Sequence, residues 1–164
     1  MAQGENNALL REQLLQLLDG RHAHMTIEEA VEEFPPEAMN ETPSNVTYTP
    51  WQLLEHIRIA QWDILEFIRD PEHVSPDWPD GYWPAHSKQA DEQMWENSVQ
   101  RLLADREALA AIVRNPETEL YAPLRHAPDY TILREILVVA DHTAYHLGEL
   151  GMMRQVLDAW GDGH

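Results

Sequence analysis

Apolar residues along this chain recur at alternating intervals of three and four, the period of one helical face, in four long stretches. The first runs from about Glu5 to Asp19, with Leu10, Leu14 and Leu17 on one face and Gly20 placed to stop it. A shorter amphipathic piece, Thr26 to Phe34, opens on the capping-box signature Thr26-Ile27-Glu28-Glu29 and ends at Pro35-Pro36. Residues 37–48 read as loop. The second long helix opens at Thr49-Pro50-Trp51, an N-cap followed by proline at the first helical position, and continues to about Arg69, where Asp70-Pro71 ends it. The third, from about Ser87 to Arg114, carries Trp95, Val99, Leu102, Leu109 and Val113 at heptad-like spacing. A loop over 115–130 leads to Thr131, the N-cap of the fourth, which runs to about Trp160 and spans roughly 45 Å at ~1.5 Å per residue.

Residues 70–86, dense in proline and aromatic side chains, are more than a tight helical hairpin needs. They predict a connection that runs lengthwise between helices two and three, its tryptophans packed down as anchors. Strand signals are nearly absent. The pattern predicts an all-α four-helix bundle with a long crossover connection between helices two and three, in a single domain over residues 1–164.

The fourth stretch carries the chemistry. Val139, His142, His146, Glu149, Met153, Val156 and Trp160 share one stripe, which predicts a buried seam with two histidines in it. His142 and His146, four residues apart, stack on one helical face and can reach a common point. Two imidazoles turned towards a core need hydrogen-bonding partners or a metal. His56, on the second helix, is flanked at helical spacing by Leu53, Ala60, Asp63, Ile64 and Phe67 and also faces the core edge. Three inward histidines form a candidate facial metal site with positions left open, the catalytic pattern for a divalent ion. Neutral imidazole suits Zn²⁺, Ni²⁺, Fe²⁺ or Cu²⁺, with Zn²⁺ or Ni²⁺ the leading candidates. The alternative is that all three are core histidines satisfied by hydrogen bonds.

Glu149, seven residues after His142, and Asp63, seven after His56, lie on the same faces as the histidines. Each is placed to orient a ligand, complete the coordination shell or accept a proton. His22 and His24, two apart, diverge on a helix and read as surface residues, and His164 as part of a disordered end. His73, His86 and His126 fall in loops, with at most one at a pocket. Trp78 and Trp83 are candidates to wall a ligand pocket. Neither Glu-x-x-His nor His-Glu-x-x-His occurs, so the di-iron bundle and zincin protease motifs are excluded.

Charge narrows the partners. With 29 acidic against 11 basic residues the formal net charge is −18, which repels nucleic-acid phosphates and anionic lipid. The expected partner is a small-molecule substrate, with neither nucleic acid nor membrane. No run of ~18 apolar residues spans a bilayer, and the opening MAQGENNALLREQ lacks the basic-then-apolar order of a secretory signal, so a cytoplasmic address is expected. With no cysteine, the protein brings no thiol nucleophile or thiolate ligand of its own.

A histidine in LLEHIRIAQWDIL, a long middle, and DHTAYHLGEL in the last helix together resemble the DinB-like superfamily of metal-dependent four-helix-bundle proteins. The likeness covers nearly the whole chain in helix order and spacing. Carried over by position, the family's three metal ligands fall on His56, His142 and His146. Members often have a His-Arg-Gly-Gln segment after the last ligand, where this chain has His146-Leu147-Gly148-Glu149. The resemblance implies a crossover between helices two and three, frequent homodimers, and activities that include transferases and isomerases using low-molecular-weight thiols such as bacillithiol or mycothiol.

The leading expectation is thus a metal-dependent, thiol-dependent S-transferase, with Glu149 or Asp63 as proton acceptor. One alternative is a hydrolase in which water takes the thiol's place. Another is a non-catalytic ligand-binding or stress-response bundle that keeps its histidines for folding.

Overall fold

A computed structural model of the chain describes residues 2–21 and 23–161; His22 and His164 lie outside the described residues. The helices in chain order are α1 (Ala2–Asp19), α2 (Ile27–Val31), α3 (Pro50–Arg69), α4 (Glu92–Arg114) and α5 (Ile132–Val156). Short 3-10 turns stand at Pro36–Ala38 and Asp80–Tyr82. The fold is mostly helical, and none of these helices is long and apolar enough to cross a membrane.

The caps read from the sequence form as written. The hydroxyls of Thr26 and Thr49 accept from the backbone N–H groups of Glu29 and Gln52, and those two side chains return the bond to the cap nitrogen. Thr131 accepts from the Arg134 N–H. Gly20 closes α1 at φ +78°, a left-handed conformation that glycine adopts without a Cβ clash.

Two apolar clusters order the long helices. Leu53, Leu54 and Ile57 from the first half of α3 and Trp95, Val99 and Leu102 from the first half of α4 meet Leu147, Leu150 and Met153 from the second half of α5. Ile27, Ala30 and Phe34 close this cluster. The second joins Leu14 and Leu18 of α1 to Leu65, Leu109, Val113, Ile136 and Val139. All five residues singled out on α4 are buried.

Several sequence expectations are corrected. Helix α4 begins at Glu92 rather than near Ser87, because Asp91 caps it by accepting from the Met94 N–H. Asn40 holds the preceding residue in place by bonding both the N–H and the carbonyl of Ala90. Helix α5 stops at Val156 rather than Trp160: Asp158 adopts φ +53°, and the Ala159 N–H turns back to the Arg154 carbonyl. Within the loop read as irregular, Pro123–Leu124 pairs antiparallel with Ala127–Thr131. This hairpin is mostly exposed and lacks the buried alternation that marks a strand in sequence.

The stripe drawn on α5 is also rotated. Ile136, Val139, Thr143, Leu147, Leu150 and Arg154 are buried, His142 and His146 sit on the shoulder of that line, and Val156 is 61% exposed. On α1, Leu17 is 46% exposed and Arg11 takes the core side, donating to the carbonyls of Val113, Asn115 and Thr118 at the end of α4. Trp78 is 73% exposed and so is not an anchor of the α3–α4 connection.

Candidate metal centre

His56, nearly two turns into α3, is 2% exposed and points into the α3–α5 interface opposite His142 and His146. One potential ligand nitrogen from each of the three lies within 4.8 Å of the others. The spacing that suggested convergence within α5 is realised, with the two ring centroids 4.5 Å apart. The third ring arrives because α3 packs along α5, which spacing alone does not dictate.

Hydrogen bonds decide which nitrogens are available. His56 Nδ1 lies 3.0 Å from the Tyr82 carbonyl, which only accepts, so Nδ1 carries the proton and Nε2 is left as an acceptor, its lone pair turned towards His142. His146 Nδ1 lies 2.6 Å from Glu149 Oε2, which fixes its proton on Nδ1 in the same way. A carboxylate or carbonyl behind each imidazole is the usual support of a metal-ligating histidine. His142 Nε2 stands 3.1 Å from His56 Nε2. Two imidazole nitrogens each ~2.0–2.1 Å from a tetrahedral zinc are roughly 3.3 Å apart, so the spacing fits a shared divalent ion. The donor set therefore fits such a metal.

The electrostatics favour neutral rings at His142 and His56. His142 is pushed down to about 4, by burial first and then by His146 and His56. His56 is lowered too, chiefly by burial. A neutral imidazole is the form that binds a metal, so protons compete weakly for these two rings near neutral pH.

Aromatic residues surround the cluster. Trp83 stacks on His56 with ring centroids 4.0 Å apart and 5° between the planes, and Tyr48 lies 5.0 Å from Trp83. Tyr145 packs edge-on against His146. Burial raises the Tyr48 hydroxyl, and the Glu149 carboxylate beside it raises it further.

Of the two carboxylates read from the sequence, Glu149 belongs to the cluster. Asp63 lies on the same side of α3 as His56 but is engaged elsewhere: Oδ1 is 2.7 Å from His73 Nε2, and Oδ2 accepts from the Tyr82 hydroxyl at 2.6 Å. Burial first, then Asp63, pushes the Tyr82 hydroxyl up to about 12. Trp83 stacks on His56, whereas Trp78 packs on Tyr82. His126 bonds the Phe67 carbonyl near the hairpin, away from the cluster.

Sequence reasoning missed Tyr48, Tyr82 and Tyr145. Tyr145 had a signal in its place beside His146. Tyr82 acts on His56 through a backbone carbonyl, which leaves no mark on the sequence.

A family model described as the DinB superfamily matches residues 20–150, a span that holds all three histidines and Glu149. Comparison with curated proteins and with solved structures yields no match.

Proposed function

This chain belongs to the DinB superfamily, and from that premise we propose that it is a metal-dependent enzyme, a thiol-dependent S-transferase built on a three-histidine centre. We read its four long helices as a four-helix bundle crossed lengthwise by the α3–α4 connection. The observation that carries the reading is the convergence of His56, His142 and His146, with the far nitrogens of His56 and His146 already engaged.

His56, His142 and His146 would hold the ion through nitrogens turned to the common point. When bound, a divalent cation, Zn²⁺ or Ni²⁺ by the nature of the ligands, supplies the positive charge that favours the thiolate form of an incoming thiol. Glu149 orients His146 through Nδ1 and offers its carboxylate to the thiol proton. The thiolate sulfur then forms a bond to an electrophilic carbon of the second substrate, and the leaving group departs with the electron pair of the broken bond. Trp83, Tyr48 and Tyr145 flank the site with aromatic surface. With no cysteine in the chain, the reactive sulfur arrives as substrate.

We also infer that the chain pairs with a second copy through the outward face of α5, where Leu137, Val138, Tyr145, Met152 and Val156 are exposed.

The test begins with metal content, by mass spectrometry of untagged protein beside a His142→Ala/His146→Ala variant. Near one divalent ion per chain is expected in the wild type, and loss in the variant. The Co²⁺-loaded protein is then titrated with a small thiol, and its visible spectrum should gain a sulfur-to-metal charge-transfer band. A wild type that stays empty after incubation with Zn²⁺ and Ni²⁺ overturns the metal centre. A Co²⁺ spectrum indifferent to thiol overturns the transferase.

A further inference from the structure

His56 and Asp63 stand seven residues apart on α3, two turns along one side of the helix. One residue of the α3–α4 connection bridges them. The Tyr82 carbonyl accepts from His56 Nδ1 at 3.0 Å, and its hydroxyl donates to Asp63 Oδ2 at 2.6 Å. The other oxygen of Asp63 is taken by His73 Nε2 at 2.7 Å, at the start of the same connection. Trp83, next in sequence, lies flat on the His56 ring. The connection is thereby stapled to α3 at both ends of a two-turn span, and the His56 ring is held on its Nδ1 edge and on one face.

We propose that Asp63, Tyr82 and His73 form a latch that positions His56 as a metal ligand, with Asp63 acting through Tyr82 and not on substrate. The Asp63 carboxylate is 7% exposed as a residue and has both oxygens engaged, which suits an anchor better than a proton acceptor facing substrate. Its hold on the Tyr82 hydroxyl fixes that residue's backbone, and the carbonyl in turn selects the His56 tautomer whose Nε2 lone pair faces His142. Gly81 lets this turn close: a Cβ there would stand 2.6 Å from Pro76 Cβ and 3.2 Å from the Pro76 backbone.

The inference rests on the metal reading above, but one of its readouts does not need metal. In metal-free protein, long-range ¹⁵N–¹H spectra assign the tautomer of each histidine. Wild-type His56 should be protonated at Nδ1. Tyr82→Phe keeps the carbonyl and the ring and removes only the hydroxyl, so it leaves the fold intact by helical circular dichroism. It should give His56 a mixed tautomer while His146 stays protonated at Nδ1, and should weaken Zn²⁺ binding by about tenfold or more, the usual cost of losing support behind a ligand. Asp63→Asn, which still accepts from the tyrosine, should stay nearer the wild type than Asp63→Ala. Wild-type tautomer and Zn²⁺ affinity in Tyr82→Phe overturn the latch and leave the metal centre standing. A wild type that binds no Zn²⁺ overturns the metal centre, and the His56 tautomer in Tyr82→Phe then decides the latch alone.

Discussion

At the scale of single residues, what matters is which atom of each side chain is already committed. Glu149 has one oxygen on His146 Nδ1 and lies beside the Tyr48 hydroxyl, so it is both a ligand support and a carboxylate placed to take a proton. Those roles separate under Glu149→Gln. An amide oxygen still accepts from Nδ1–H but takes no proton at neutral pH. Zn²⁺ affinity should therefore fall by no more than about tenfold, while kcat for thiol transfer falls by about 10²–10³, within the range of a lost general base. Equal losses in both, measured by metal titration and steady-state kinetics, would make Glu149 a ligand support only. The three histidines were legible in the sequence because two share one helix at i, i+4 and the third sits on an apolar face. The supports were half legible. Glu149 follows His146 by three on the same helix, whereas Tyr82 reaches His56 from 26 residues away through its main chain.

At the scale of elements, ends were legible where local signals set them, as at the stops of α1, α3 and α4 at Asp19, Arg69 and Arg114. An N-cap acts over three residues, so Thr26, Thr49 and Thr131 announce themselves. The end of α5 is where distant partners enter. Arg154, 2% exposed, donates to the carbonyls of Ala30, Glu32 and Ala159 and lies over the rings of Phe34 and Trp160. An arginine near a helix end ordinarily reads as solvated. Here the long range of its bonds, to carbonyls more than 120 residues away, hides its role. It pins α2 and the terminal turn to α5, beside the cluster that holds Leu147, Leu150 and Met153. Arg154→Met keeps much of the apolar bulk but leaves several carbonyls without a donor, at a cost of about 3 kcal/mol. For a chain of this size that lowers Tm by roughly 6–12 °C in a circular-dichroism melt. A shift under about 2 °C would show that water replaces the guanidinium without penalty.

At the scale of the whole molecule, the net charge of −18 sets how two copies can meet. Most faces brought together would oppose carboxylates, at a cost that salt screens over ~10 Å at 0.1 M. The outward side of α5 is the exception. Among its exposed positions from Leu137 to Val156, a length of roughly 28 Å, only Asp141 is charged. Gly148 on this side has open space beyond it, so a second helix can approach closely. Packing against α3 and α1 separates the core side of α5 from this outer one. Tyr145 lies on the outer side while packing against His146, so a second copy seated here would also wall the metal centre. Sedimentation equilibrium should accordingly give the mass of two chains, with the dimer tightening as salt rises and the carboxylates are screened. Leu137→Asp and Met152→Glu each place a charge on the strip away from the ligands, and each should weaken the dimer by at least about tenfold while helicity and Zn²⁺ binding hold. A wild-type monomer at all accessible concentrations, or a dimer indifferent to both substitutions, would remove α5 from the interface.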